Sequence, residues 1–131
     1  MTAGAASAQT AIDGLIESFG RHDRDAYFGY FAEDATFMFH SSPARLESRA
    51  EYETLWREWE TLGEFQVLSC ASTNRRLQLF GNTAVFSHDV LTEARMAGIT
   101  ETIAERETIV MQFENEKWLC VHEHLSIGAV E

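Results

Sequence analysis

The chain has 131 residues, 45% of them apolar or aromatic and 24% charged, with 10 lysines and arginines against 21 aspartates and glutamates. This length fits one domain, 1–131, able to bury roughly two-thirds of its unfolded surface, so a core that encloses a small-molecule cavity needs no metal or disulfide staple. A net charge of -11 repels phosphate backbones and anionic headgroups, which argues against nucleic acid and membrane surfaces as partners.

The opening stretch, residues 1–7, is small and polar and is expected to fray. It carries neither a basic segment nor a long apolar run, so it reads as neither a secretory signal nor a membrane span, and the cytoplasm is the expected compartment. Ile12, Leu15, Ile16 and Phe19 then recur at helical spacing, and Gly20 stands where a helix would end in a left-handed residue. Asp23 is placed to cap a short second helix with Tyr27, Tyr30 and Phe31 on one face. Ala35 to His40 switches to a β-rich run, a first strand. After the break at Pro43, Ser48 and Glu51 form an S-x-x-E capping box opening a third helix, with Tyr52, Leu55, Trp56, Trp59 and Leu62 on one face and Gly63 at its end.

From Phe65 the period changes to two, and turn signals at Gly81-Asn82, Ala97-Gly98 and Asn115-Glu116 divide the remainder into four strands joined as hairpins. Cys70 and Cys120 lie inside these alternating runs, as buried free thiols of a reducing compartment would. Helices followed by an antiparallel meander define an α+β fold, with three N-terminal helices packed on a curved, mostly antiparallel sheet.

This order, with YFAEDATFMFH after the second helix and ERETIVMQFENEKWLCVHEHLS at the end, resembles the nuclear transport factor 2-like superfamily and, more closely, its SnoaL-like branch. The terminal run is also similar to the association domain of calcium/calmodulin-dependent protein kinase, which shares the E-T, K-W and V-H-x-H spacing. The resemblance implies a cystatin-like roll whose helices close over one sheet face to form a conical pocket, and a habit of forming oligomers. Superfamily members include cyclases, isomerases, dehydratases, hydrolases and assembly domains, so the fold leaves the function open. Asp89 and Ile109 stand where the kinase domain has pocket arginines, so that domain's anion does not carry over.

A two-residue loop at Asn115-Glu116 would pair Phe113 with Trp118, Met111 with Cys120, Ile109 with His122 and Glu107 with His124, bringing both histidines onto one face. Continuing the count through the other hairpins adds Asp89, Ser87, Arg76 and Asn74 to the face of Glu107, with Arg76 placed to balance Asp89. On this reading Asp89, Glu107 and His124 form a general acid/base group, since a carboxylate beside an imidazole fixes its tautomer and raises its proton affinity. His122, Arg76, Asn74 and Ser87 would contact the ligand, and Tyr27, Tyr30, Trp56 and Trp59 would form an aromatic cup above it, although stripes at this spacing equally serve as core.

The resulting expectation is a small-molecule-binding protein, acting as an acid/base isomerase or cyclase on an apolar carbonyl-containing metabolite without a cofactor. Two alternatives remain open: a non-catalytic assembly or binding module, and a metal site formed by His122, His124 and Glu107 through the H-x-H pattern. Phe86, Val90, Val110, Leu119, Val121 and Leu125 would give the opposite face enough apolar surface for a homodimer interface.

Overall fold

The structure, a computed structural model, describes residues 3–128. Its elements are α1 (Ala5–Gly20), α2 (Arg24–Phe28), β1 (Phe31–Phe39), α3 (Arg49–Gly63), β2 (Gln66–Phe80), β3 (Thr83–Met96), β4 (Ile99–Glu114) and β5 (Lys117–Ile127). The opening stretch expected to fray through Ser7 is already helical from Ala5, and Met1 and Thr2 lie outside the described residues. Both later helices are capped as the sequence predicts: the Asp23 side chain accepts from Ala26 N–H, and Ser48 Oγ accepts from Glu51 N–H at 3.1 Å.

The glycines at the helix ends work differently from the expectation. Gly20 and Gly63 are the last helical residues, and the left-handed positions are taken by His22 (φ 55) and Glu64 (φ 53). Gly20 serves a close approach instead, since a Cβ there would stand 3.3 Å from the Cys70 Cβ where α1 crosses β2.

The sheet runs β1-β5-β4-β3-β2, with β1 parallel to β5 and every other pair antiparallel. All three helices supply residues to one core cluster on one sheet face, here the inner face. Ile12 and Leu15 come from α1, Tyr27 and Phe28 from α2, and Tyr52 and Trp56 from α3, meeting Phe37, Phe86, Ile109, Met111 and Trp118 of the sheet. Leu62 leaves the expected apolar face of α3 and is 84% exposed. Among the described residues, no helix is long and apolar enough to cross a membrane.

Two irregularities decide which side chains reach the inner face. In the β4–β5 hairpin Met111 pairs with Cys120 as expected, but Val110 then pairs with His122, so Val121 is the extra residue of a bulge. Beyond it Ile109 faces Glu123, Thr108 faces His124 and Glu107 faces Leu125, in place of the expected Ile109–His122 and Glu107–His124 pairs. In β2 the register breaks between Thr73 and Arg76, where Asn74 is left-handed (φ 51). Arg75 therefore turns inward, paired with Asp13 and stacked 5.1 Å over the Phe86 ring, whereas Arg76 lies opposite Ser87 on the outer face.

The same parity corrects the interface residues. Phe86 is fully buried in the core, and Val90 and Leu125 also point inward; Val110 and Leu119 remain on the outer face, and Val121 sits in the bulge.

Candidate functional site

Between the helices and the inner face lies a cavity of about 150 Å³. Its walls are mainly apolar, from Leu15, Ile16 and Phe19 of α1, Trp59 of α3 and Val90 and Ile103 of the sheet, and its polar groups are concentrated at Tyr27, Tyr52, His88, Glu105, Glu107 and Glu123. Among the described residues, no lysine or arginine lines it. Each polar group is there for a local reason. His88 pairs across β3–β4 with Glu107 because Ala97-Gly98 is a two-residue loop joining Met96 to Ile99, which puts His88, and not Asp89, on the face of Glu107. Glu123 enters because the bulge at Val121 turns it inward and turns His122 and His124 out.

Glu107 and Glu123 are diagonal neighbours on adjacent strands. Glu123 is 1% exposed, and its Oε2 has no hydrogen-bond partner among the described residues. Burial first, and the charge of Glu107 second, push the Glu123 carboxyl well above the usual carboxylate range. Tyr27 Oη donates to Glu123 Oε1 at 3.4 Å and is 3.0 Å from Tyr52 Oη. Burial and then the charge of Glu123 raise both phenols well above their ordinary value, leaving them as hydroxyl donors.

On the other side of the pair, His88 Nε2 is 2.7 Å from Glu107 Oε1 and His88 Nδ1 is 2.5 Å from Ser72 Oγ. Glu105 is paired with His40 at 2.6 Å; its carboxyl is raised by burial, an effect His40 opposes. Burial also pushes the Cys70 thiol up to about 11, which removes it as a nucleophile.

Of the residues singled out from sequence, Glu107, Tyr27 and Trp59 line the cavity. Trp56 is fully buried in the core, and Tyr30 packs on α1, its ring occupying the space that a Cβ on Gly14 would need. Asn74, Arg76, Ser87 and Asp89 do share a face, with Asn74 Nδ2 donating to Asp89 Oδ2 at 3.2 Å, but it is the outer one. His122 is 2.8 Å from Thr36 Oγ1 through Nδ1, and His124 is exposed and borders an outer groove shared with Asn74, Ser87, Asp89 and Glu107, so neither histidine lines the inner cavity. Among the described residues, no three histidine, cysteine or acidic side chains are arranged to hold a metal ion. Sequence reasoning missed Glu123, His88, Tyr52, Glu105 and Ser72. His88 was available from the hairpin count at Ala97-Gly98, and Glu123 only from a bulge that nothing in the local sequence announces.

Helices over one face of a five-stranded mixed sheet, with a polar cluster in the wall of an apolar cavity, give this chain a nuclear transport factor 2-like α+β fold. Solved structures agree on the fold. A nuclear transport factor 2-like protein from Cytophaga hutchinsonii aligns with a TM-score of 0.77 at 10% identity, over 92% of this chain and 94% of that one. A ketosteroid isomerase-like protein from Erwinia carotovora atroseptica aligns at 0.78 and 14%, over 95% and 96%. A candidate calcium/calmodulin-dependent kinase II association domain from Exiguobacterium sibiricum aligns at 0.79 and 14%, over 100% and 99%. Among curated proteins none matches the sequence. A family model for the SnoaL-like domain matches residues 8–130, and the chain belongs to that family.

Proposed function

We propose that residues 1–131 act as one domain that binds a small apolar carbonyl compound in the inner cavity and catalyses its enolisation, as an isomerase or cyclase does. The observation that carries this reading is the unequal carboxyl pair: Glu123 is buried beside Tyr27 with its proton affinity raised, whereas Glu107 is 2.7 Å from His88 Nε2. Two carboxyls whose environments drive their proton affinities apart supply an acid and a base at one pH. Glu107 takes the proton from the carbon next to the carbonyl, and the proton of Glu123, with the Tyr27 hydroxyl, stabilises the oxygen that gains charge. The ketosteroid isomerase-like neighbour supports an isomerase-type fold.

Volume narrows the substrate. A cavity of about 150 Å³ matches what a benzene-sized guest fills, so the ligand is one ring or a short chain. The conical shape implied by the family suits a flat ring entering edge-on. The free thiols Cys70 and Cys120 support a cytoplasmic setting, and the outer sheet face supports self-association.

Cyclohexanone in D₂O is the test. We expect the protein to speed α-deuteration, followed by proton NMR, over buffer alone, and Glu107→Gln to lose at least about 100-fold of that acceleration. Exchange no faster than in buffer, or a full rate in Glu107→Gln, overturns the reading.

A further inference from the structure

The two carboxyls of the pair are chemically identical, so something around them must decide which one holds the proton. The cavity walls do not supply a cation, since they contain no lysine or arginine. Facing Glu107 are Glu105 on its own strand, Glu123 on β5, Tyr27 on α2, Tyr52 on α3 and Cys70 on β2, all neutral or negative. The exception is His88, whose side chain is 0% exposed and has both ring nitrogens engaged, with Ser72 on one side and Glu107 on the other.

We propose that Ser72 and His88 are positioning residues, an arm reaching from β2 through β3 that donates to Glu107 and holds it as the ionised member of the pair, so that the shared proton resides on Glu123. The inference rests on the reading of Glu107 and Glu123 as base and acid. Three proton arrangements fit the distances. A Ser72 hydroxyl donating to bare Nδ1 leaves the hydrogen on Nε2, aimed at a Glu107 carboxylate. A doubly protonated ring donates to both neighbours, and a charged donor favours an ionised Glu107. A hydrogen on Nδ1 with a bare Nε2 would require the proton on Glu107. That arrangement leaves the charge on Glu123, where Oε2 has no partner among the described residues. A buried charge met only by the Tyr27 hydroxyl is the costliest outcome of the three. Ser72 thus acts at a distance. Its hydroxyl favours the imidazole tautomer that makes Glu107 a base, although Ser72 itself does not line the cavity.

The test reads protonation without turnover, from ¹³C-carboxyl spectra of glutamate-labelled protein and ¹⁵N spectra of histidine-labelled protein. The native protein at neutral pH is expected to show Glu107 ionised, Glu123 protonated and a hydrogen on His88 Nε2. Removing the arm with His88→Phe, or weakening it with Ser72→Ala, should shift the Glu107 carboxyl signal at neutral pH toward the position of a protonated carboxyl. Ser72→Thr, which restores a hydroxyl, should bring it back. If His88→Phe does not fold, the Ser72→Ala and Ser72→Thr pair carries the test alone. A Glu107 signal unmoved by these variants while Glu123 stays protonated overturns the arm and leaves the acid/base pair standing. Glu123 ionised in the native protein overturns the pair, and the arm with it.

Discussion

At the scale of single residues, Glu123 is the group whose environment differs most from water, and stability should report it. In the unfolded chain its carboxyl loses its proton in the ordinary glutamate range; in the fold burial and Glu107 hold that proton to higher pH. Between those two values the folded state binds more protons than the unfolded one, so stability is full below the ordinary glutamate range and declines as pH rises. Glu123→Gln keeps the shape and removes the charge. Its urea midpoint should exceed that of the native protein at about pH 8 and converge with it near about pH 4. A variant no more stable than native at the higher pH would show that Glu123 is not held as a buried acid.

The same residue shows how much of the site was legible. Glu107 reaches the cavity as expected because alternation from the Asn115-Glu116 turn holds as far as Met111. One unpaired residue, Val121, then inverts every later side chain of β5, exchanging two exposed-looking histidines for a glutamate that sequence alone would place in solvent. Asp89 lies outside the inner cavity for a simpler reason: it is one position from His88, so alternation puts its side chain on the opposite face of the sheet.

At the scale of elements, the helices were readable because their ends carry local chemistry. Ser48 is the clearest instance: its side chain accepts from Glu51 N–H, while Glu51 reaches back to Glu47 N–H and not to the cap itself, so the box closes one residue early. Ser48→Ala should destabilise the fold by about 1 kcal/mol in urea unfolding, because a backbone N–H in the first turn of α3 loses its side-chain partner. A loss well above this would mean that Ser48 does more than cap. The strands lacked such markers. Their existence follows from alternation and turn residues, whereas register depends on bulges at Asn74 and Val121, set by packing of the whole sheet against α1 and β1.

At the scale of the whole molecule, the outer sheet face is the surface left to explain. Val85 pairs with Val110 and Gln112 with Leu119, and Leu91, 45% exposed, stands between Ala71 and Ala104. An isologous contact would cover this strip on two copies at once, as homodimers of two-fold symmetry do. Charge opposes it, since each copy brings -11, and salt screens that repulsion. The two effects separate in sedimentation: the native protein should form dimers that strengthen as salt is raised, and Val110→Asp should give monomers that still deuterate cyclohexanone. Native protein that stays monomeric at high salt would remove the interface. Monomers that lose the cyclohexanone reaction would instead mean that the cavity needs the partner to keep its shape, because Val110 and the inward-facing Ile109 are consecutive residues of one strand.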